Sequence, residues 1–447
     1  MEEHMFDAWD DDARRAHAWS WLREHRFGVF LHWGVYALAA RHEWVRYRER
    51  LDDDAYQRYV DHFDPDLFDA DAWAAAVEGA GASFGVLTTK HHDGFCLWPS
   101  AAGDYTVAQT PFGATGRDIV REYVDAFRAH GLGAGLYHSL LDWHHPDFAI
   151  DGFHPQRAEP DVAERNAGRT GADYRSYLHA QLRELLDGYG DVPVLFADFT
   201  YDGGYPSDEG PVWGGKGAED WGSPELLTML RELQPTMLVN DRLGIGAGDF
   251  LTPEQYQPAG PMTADGEPRP WLACQTIDGS WGYDRDNRAV KSPDLVLRML
   301  IDTVSKDGSF LLNVGPDGRG RFDADARRVL AEIGGWMDLH RRSIDGAGAA
   351  PWTPPADARY TRRGDRLYLH LFAWPYGAVH LPGLAGKVRY AQLLDDASEI
   401  RMSVTDPDAP AFTIFEGGQP AGTLTLHLPT VPPDVLVPVV ELVLEED

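Results

Sequence analysis

Polar side chains follow several short apolar segments of this sequence, at positions where they could do chemistry. The apolar segments predict buried strands, and residues just beyond parallel strands meet at one edge of the sheet. Six such clusters at one edge predict an active site there. The clusters contain His32; His91, His92 and Asp93; Tyr137 and His138; Asp198; Asn240, Asp241 and Arg242; and Ser280, Trp281 and Tyr283.

The residue types in these clusters favour carboxylate chemistry over metal or serine chemistry. His91 and His92 are adjacent, so on a strand they point to opposite faces and do not easily hold one metal ion. The sequence has no His-x-His pair and no Gly-x-Ser-x-Gly nucleophile elbow. Paired carboxylates in a pocket lined by Trp, His and Arg are what glycoside hydrolysis needs. We therefore expect a glycosidase, and a metal-dependent hydrolase is the lesser alternative.

Seven predicted strands alternate with helical patterns between residues 27 and 340. Thr115, Thr170, Ser223 and Ser292 are predicted to cap helices. The alternation predicts a parallel sheet, as a (β/α)8-like TIM barrel with one strand missing or irregular, and an open doubly wound sheet is the alternative. The predicted strands are Phe27–Leu31, Phe84–Thr89, Gly133–Tyr137, Val192–Ala197, Thr236–Val239, Ala273–Ile277 and Phe310–Val314.

The last hundred residues have a different pattern. Residues 347–358 are rich in Ala, Pro and Gly, which is typical of a domain boundary. Beyond them, apolar and polar residues alternate over Arg366–Phe372 and Thr423–Leu428, and Asp434–Leu444 is rich in Val. This predicts a C-terminal antiparallel β-sandwich domain, residues 346–447, after a catalytic barrel domain, residues 1–345.

Composition excludes several classes of protein. The 447 residues are 43% hydrophobic and 25% charged, which excludes a mainly disordered chain. The net charge of −31 argues against nucleic acid or an anionic membrane as a partner. The chain has only 2 cysteines, its first 15 residues lack an apolar signal segment, and it has no membrane-length apolar run. These features predict a cytoplasmic enzyme, and its 15 tryptophans suit a carbohydrate-active one.

Five long motifs resemble those of the α-L-fucosidases of glycoside hydrolase family 29. They are FGVFLHWGVYA, KHHDGFCLWPS, NDRLG, SWGYDRDN and KSPDLVLRMLIDTVSKDGSFLLNVGPDGRG, which follow the family's order between about residues 26 and 342. The resemblance implies a (β/α)8-like barrel followed by a β-sandwich. It also implies a retaining mechanism through a covalent glycosyl-enzyme intermediate, without metal or organic cofactor.

The resemblance also implies roles for individual residues. The family nucleophile is the Asp after the fourth strand, here Asp198, with Asp202 as the competing position. The family context is similar to Trp-Phe-Asp-Gly, whereas this sequence has Phe-Ala-Asp-Phe. The predicted sugar-binding residues are Phe30, His32, Glu43, Trp44, His91, His92, Tyr137 or His138, Arg242 and Trp281.

The general acid is harder to assign because this sequence departs from a common family pattern. Many members carry Glu in a Trp-Glu-x-Cys segment, and Leu272 stands in its place here. Glu254, in the loop between the fifth and sixth predicted strands, is the predicted acid. Glu43 and then Glu267 are the alternatives.

Together these features predict an exo-acting, retaining α-L-fucosidase. Its expected partner is a terminal α-L-fucose on an oligosaccharide or glycoconjugate, and formation of a homo-oligomer is left open. One alternative is a glycosidase for a related sugar, an α-L-galactoside or α-L-glucoside. Another is a fucose-binding homologue with little catalysis, because the usual acid is absent.

Overall fold

Seven parallel strands form the main sheet in the computed structural model, which describes residues 12–203, 214–246, 248–408, 410, 412 and 418–445. Two further strands form a short hairpin, β6 and β7. The strands in this part of the chain are β1 (Phe27–Leu31), β2 (Phe84–Lys90), β3 (Gly133–Ser139), β4 (Val194–Asp198), β5 (Leu238–Val239), β6 (Thr263–Ala264), β7 (Glu267–Pro268), β8 (Leu272–Thr276) and β9 (Ser309–Val314).

The main sheet has the strand order β5-β4-β3-β2-β1-β9-β8, with every neighbouring pair parallel. Each of the seven predicted strands is present, so the predicted parallel sheet is confirmed. Sequential strands β1 to β5 lie side by side, and β9 and β8 extend the sheet from the other edge of β1. The two edge strands of the sheet are therefore β5 and β8. Among the strands of this sheet, β8 is the next one along the chain after β5.

An irregular segment, residues 249–255, connects these two strands. Its first part bridges β5, since the amide of Asp249 donates to the carbonyl of Val239 at 2.8 Å. Its second part bridges β8, where the amide of Cys274 donates to Pro253 at 3.0 Å and that of Gln255 to Cys274 at 3.0 Å. The sequence prediction left one strand missing or irregular without giving its position, and this segment lies between the two edge strands of the sheet.

Helices alternate with the strands of the main sheet, and several of them pack on its outer face. They are α1 (Asp12–Glu24), α2 (Tyr36–Ala39), α3 (Val45–Arg48), α4 (Asp53–Asp61), α5 (Ala70–Gly79), α6 (Ile119–Ala129), α7 (Val162–Asn166), α8 (Gly171–Gly188), α9 (Ala218–Trp221), α10 (Ser223–Leu233), α11 (Pro293–Val304) and α12 (Ala324–His340). Among the described residues, none of these helices has the length and apolar character needed to cross a membrane.

Two of the four predicted helix caps are correct. Thr170 and Ser292 accept hydrogen bonds from the amides of the third residue after them, as N-cap residues do. The cap predicted at Thr115 is wrong, because α6 begins later and Asp118 caps it. The cap predicted at Ser223 is also wrong, because that residue is the first of α10 and its hydroxyl donates to Leu243 instead.

Alternation along the strands separates two apolar layers. Val29, Leu31, Leu136 and Leu195 belong to the large cluster that packs on the helices. The residues between them face the other way and form a second cluster inside the curve of the sheet, with Phe30, Val86, Tyr137, Phe196, Leu272 and Leu311. Strands buried on both faces are typical of a parallel sheet, and the burial of the strands fixes which side chains point inward.

The C-terminal part contains two antiparallel sheets. One has the order β10-β11-β16-β13 and the other β12-β15-β14. Apolar side chains of both sheets form one cluster, so the sheets pack face to face. The strands are β10 (Ala358–Arg363), β11 (Arg366–Leu371), β12 (Ala378–Pro382), β13 (Val388–Leu393), β14 (Arg401–Val404), β15 (Thr423–His427) and β16 (Val439–Leu444).

The two parts of the chain contact each other through apolar and polar groups. Val437 and Val439 belong to the large core cluster of the parallel-sheet part. The indole of Trp336 on α12 donates to the carbonyl of Val437 at 2.8 Å, and Arg359 on β10 pairs with Asp302 on α11 at 2.7 Å. The division into domains at residues 345 and 346 stays a prediction.

Candidate active site

The alternation of inward-facing and outward-facing side chains continues past the strand ends. It therefore determines which side chains reach the site. Phe30 faces inward on β1, so His32, two residues on, does so too. Phe196 and Asp198 have the same relation on β4, and Tyr137 faces inward on β3. The period of two therefore brings a histidine, a carboxylate and a phenol from three strands into one cavity.

The cavity has an empty volume of about 440 Å³ at the carboxyl ends of the strands. Ten of the twelve predicted site residues line it, which agrees with a convergent site but does not by itself test their roles. The predicted residues in its lining are Phe30, His32, Trp44, His91, His92, Tyr137, Asp198, Arg242, Glu254 and Trp281.

Asp198 is the carboxylate at the centre of the site. Arg242 Nη1 donates to its Oδ1 at 2.6 Å, and the Tyr137 hydroxyl donates to its Oδ2 at 2.7 Å. Burial alone would raise the pKa of Asp198, but the Arg242 guanidinium, the nearby His92 and these hydrogen bonds outweigh it and lower the pKa. Asp198 is therefore ionised at neutral pH although only 12% of its side chain is exposed.

Arg242 joins Asp198 to a second carboxylate, Glu254. Its Nη2 donates to Glu254 Oε2 at 2.7 Å, while its Nε donates to the Thr252 hydroxyl at 3.0 Å. The planar guanidinium thus holds the two acids on adjacent nitrogen atoms. Glu254 is more open, with 39% of its side chain exposed, so it lies at the rim and Asp198 lies deeper.

His32 presents an unprotonated nitrogen. Asn313 Nδ2 donates to the Trp281 carbonyl at 2.7 Å, which turns Asn313 Oδ1 toward His32 Nδ1 at 2.6 Å. An amide oxygen accepts only, so His32 Nδ1 carries the proton and Nε2 is an acceptor. Burial lowers the pKa of His32 to about 4, so the ring is neutral at pH 7.

His92 has the same arrangement. The Ser139 hydroxyl donates to the Leu141 carbonyl at 2.8 Å, so Ser139 Oγ accepts the proton of His92 Nδ1 at 2.6 Å. His92 Nε2 then faces Asp198 Oδ2 at 3.8 Å without a proton. Burial lowers the pKa of His92 to about 4. Two buried imidazoles with free acceptor nitrogens suit a ligand that brings hydroxyl groups.

Glu43 does not line the cavity, although it was predicted to bind the substrate. Its side chain is fully buried, accepts the amide of Gly282 at 2.7 Å and lies 3.0 Å from His42 Nδ1. Burial raises the pKa of Glu43, but the His42 and Gly282 contacts outweigh it and lower the pKa. Glu43 therefore fixes the loop that follows Trp281, and its neighbour Trp44 is the residue that reaches the cavity.

His138 also lies outside the cavity. It follows Tyr137 on β3, so its side chain points to the opposite face, where it contacts Thr89 and the ring of Trp98. The sequence prediction left Tyr137 and His138 as alternatives, and the structure places Tyr137 in the lining.

The competing acids lie away from this cavity. Asp202 is exposed beyond the end of β4, and Glu267 is exposed on the β6–β7 hairpin. Neither is among the residues that line the cavity. Of the acids considered, only Asp198 and Glu254 line it.

Three residues of the lining were not predicted. Phe196 could have been found, because it precedes Asp198 by two positions and shares its face. Cys274 could have been found in the same way from its strand, β8. Phe199 could not, because its backbone has φ +81°, a left-handed conformation that a bulky residue rarely adopts.

The described residues contain no group of three or more His, Cys, Asp or Glu side chains placed to hold a metal ion. The two cysteines are free and buried, and burial raises the pKa of each thiol above its ordinary range. The arrangement at the site can supply a buried carboxylate, a more exposed acid and hydroxyl acceptors.

Comparison with known proteins points in one direction. A family model described as alpha-L-fucosidase matches residues 2–342. The alpha-L-fucosidase of Dictyostelium discoideum is 30% identical over 367 residues, which are 74% of this chain and 72% of that protein.

Solved structures give the same result. Alpha-L-fucosidase isoenzyme 1 from Paenibacillus thiaminolyticus is 40% identical, with a TM-score of 0.87 over 97% of this chain and 100% of that one. An alpha-L-fucosidase of glycoside hydrolase family 29 from Bacteroides thetaiotaomicron, a trapped covalent intermediate in complex with 2-fluoro-fucosyl fluoride, is 25% identical, with a TM-score of 0.80 over 98% of this chain and 97% of that one.

Proposed function

Because this chain belongs to the alpha-L-fucosidase family of glycoside hydrolases, we propose that it is a retaining exo-glycosidase that releases terminal α-L-fucose. The observation that carries the proposal is the pair of acids, Asp198 and Glu254, which line one cavity and bind the two ends of one guanidinium. Retaining enzymes use two carboxyl groups about 5–5.5 Å apart, a separation that one bridging arginine permits.

We propose the fold as the frame for this site. Residues 249–255 serve as the eighth wall of a closed (β/α)8-like barrel, because they bridge β5 on one side and β8 on the other. The two C-terminal antiparallel sheets then form a β-sandwich domain that begins near residue 346. In such a barrel the active site lies at the carboxyl ends of the strands, which is where the cavity opens.

In the first step Asp198 attacks the anomeric carbon. A carboxylate oxygen of Asp198 forms a bond to this carbon while the bond to the leaving oxygen breaks, and Glu254 gives its proton to that oxygen. Asp198 is suited to this role because it is ionised, buried and held by Tyr137 and Arg242. In the second step Glu254 takes a proton from water, and the resulting hydroxide displaces Asp198 and releases the sugar.

Glu254 must change its partner during this cycle. A general acid carries a proton when the substrate arrives, whereas a carboxylate oxygen bound to Arg242 is an acceptor. We propose that the incoming glycosidic oxygen replaces Arg242 as the partner of Glu254. The open position of Glu254 at the rim allows this movement without a change in the buried Asp198.

The remaining lining residues recognise the sugar. The acceptor nitrogens of His32 and His92 suit sugar hydroxyls, and Phe30 and Trp281 provide an apolar wall for the methyl group of fucose. One buried methyl group contributes on the order of 1 kcal/mol. A pocket of this kind favours fucose but also admits α-L-galactose at lower efficiency, so an aryl α-L-galactoside is the second substrate to test.

The proposal is tested with matched pairs of acids. Asp198→Ala is expected to abolish hydrolysis of an aryl α-L-fucoside, and sodium azide is expected to restore turnover as a glycosyl azide because it replaces the lost nucleophile. Asp202→Ala is the control, since Asp202 is exposed and outside the cavity. Normal turnover by Asp198→Ala, or equal loss in the control, contradicts the assignment.

Glu254 is tested in the same way. Glu254→Ala is expected to lose roughly 10²–10⁴-fold in kcat/KM, most on substrates with poor leaving groups, while Glu267→Ala is the control on the exposed hairpin. A loss that does not depend on the leaving group shows that Glu254 is not the acid. Binding of fucose without any turnover by the wild-type chain supports the fucose-binding alternative.

A further inference from the structure

A second groove adjoins the catalytic cavity and has no role in the scheme above. It has an empty volume of about 710 Å³ and shares Asp198, Phe199 and Arg242 with the cavity. Arg242, which lines both spaces, also binds Glu254 at the rim through Nη2 at 2.7 Å, so the groove lies next to the acid that we propose protonates the leaving oxygen. The groove therefore begins where the leaving group of the substrate would lie.

One side of the groove is aromatic. Phe153, Phe199 and Tyr201, here called the aromatic wall, pack edge to face with ring centroids 4.7–5.5 Å apart. All three side chains are only half-buried. Phe199 lines both the groove and the cavity, so the wall runs without interruption from one to the other.

The backbone of Phe199 shows that this position is maintained at a cost. At φ +81° a residue with a side chain is strained, and only glycine adopts such a conformation freely. Strain of this kind persists where the surroundings enforce it, and it is common at functional sites. Here the left-handed turn directly after Asp198 places a phenyl ring at the junction of the two spaces.

A buried ionic group holds the aromatic wall in place. The carboxylate of Asp151 accepts hydrogen bonds from the Tyr201 hydroxyl, from the Lys216 ammonium and from the amide of Phe153. The side chains of Asp151 and Lys216 are 7% and 11% exposed, so this network is shielded from solvent. The wall is thus fixed before any ligand arrives, which lowers the entropy lost on binding.

The rest of the groove lining is mainly polar. Thr200, Asp241 and Arg242 complete the lining together with Gly244. A lining with both aromatic and polar side chains suits a sugar ring, which has apolar C–H faces and hydroxyl groups at its edge.

We propose that this groove binds the sugar unit to which fucose is attached, with Phe153, Phe199 and Tyr201 as specificity-determining residues for that unit. The inference rests on the proposed fucosidase activity and deepens it. The enzyme is then a hydrolase of fucosylated saccharides, in which the aromatic wall stacks on the leaving sugar.

Two substrates with the same fucosyl group separate binding in the groove from chemistry. α-L-Fucosyl fluoride leaves the groove empty because fluoride is a small leaving group, whereas a fucosyl disaccharide fills it. The disaccharide is the best wild-type substrate from a panel that differs in linkage. In Phe153→Ala and Tyr201→Ala we expect the ratio of kcat/KM for the disaccharide to that for the fluoride to fall about tenfold.

Two further variants exclude a purely structural effect. Tyr201→Phe keeps the ring, and Asp151 keeps its bonds to Lys216 and to the amide of Phe153, so we expect this variant to keep the wild-type ratio. A ratio as low as that of Tyr201→Ala would show that the hydroxyl and not the ring matters, and it would overturn the proposal. Phe372→Ala removes a half-buried ring from the C-terminal part and is expected to leave the ratio unchanged.

The outcomes distinguish the two proposals. If the wild type hydrolyses neither substrate, the proposed function fails and the groove assignment fails with it. If it hydrolyses the fluoride but no disaccharide, or if the alanine variants keep the ratio within twofold, the groove assignment alone is overturned. A selective loss on the disaccharide supports it.

Discussion

Arg242→Met is the change that most directly tests the electrostatics of the site. The variant keeps the length of the side chain but removes the charge that lies 2.6 Å from Asp198 Oδ1. Burial already raises the pKa of Asp198, and the guanidinium is the largest factor that opposes it. Without it, burial prevails, so protonation of Asp198 occurs at higher pH than in the wild type.

The size of this effect follows from the geometry. Two unit charges about 4 Å apart interact by about 4 kcal/mol at the effective dielectric constant of a partly exposed site, and an adjacent arginine typically lowers a carboxyl pKa by about 1–3 units. We therefore expect the acid limb of the pH profile of kcat/KM to move to higher pH by about 1–3 pH units.

The assay is hydrolysis of an aryl α-L-fucoside between about pH 3 and pH 8, with the acid limb read as protonation of the free enzyme. Arg242→Lys is the control, because it keeps one positive charge but cannot bind both carboxylates. We expect its acid limb to lie between those of the wild type and Arg242→Met.

The same variant also tests the link between charge and stability. Asp198 has a lowered pKa, so its pairing with Arg242 stabilises the fold above the ordinary Asp pKa, and this contribution is lost as pH falls through the lowered value. The difference in Tm between wild type and Arg242→Met should therefore be larger at pH 7 than at pH 3. A fall in activity with no movement of the acid limb refutes the reasoning.

Three further changes have defined outcomes. Phe199→Gly should be more stable than Phe199→Ala by about 1 kcal/mol, because only glycine is unstrained at φ +81°. At most positions the alanine variant would be the more stable one, so equal Tm values would show that this turn is unstrained. Lys90→Met should destabilise the fold by about 3–5 kcal/mol, because it leaves Asp142 charged and fully buried. The double variant Lys90→Met, Asp142→Leu should lose less stability, and thermal unfolding of both variants tests this. Stability should fall as the pH is lowered from about 6.5 to 4, because the unfolded chain binds protons at His32 and His92 in this range. The folded chain keeps both rings neutral, each with a pKa of about 4. A Tm that does not change over this range contradicts the neutral state assigned to the two histidines.

The parallel sheet could be predicted because its strands are short apolar runs that are buried on both faces. Polar residues at their ends then fell on one edge, and the period of two placed Phe30 and His32 on the same side. The same period separates Tyr137 from His138, although the sequence prediction left both open. The sequence did not show which of the two side chains faces inward, because a shift of the strand register by one residue exchanges the two faces.

Contacts between segments that are distant in sequence could not be predicted. Nothing in the sequence around Glu43 shows that its carboxylate caps the amide of Gly282, 239 positions along the chain. The bridge from Arg242 to both Asp198 and Glu254 likewise depends on how three separate segments of the chain meet. Residues 249–255 escaped prediction as a strand because they are joined to their neighbours by isolated bridges and not by a regular ladder.

The irregularity of residues 249–255 has a consequence for motion. A regular strand shares its hydrogen bonds among many neighbours, whereas this segment depends on a few separate bridges. Amide hydrogen exchange should therefore be faster at Leu251 and Cys274 than at the centre of β1, through brief local openings that leave the rest of the sheet intact. Since Glu254 lies in this segment, such openings would displace the proposed acid while the rest of the sheet keeps its hydrogen bonds.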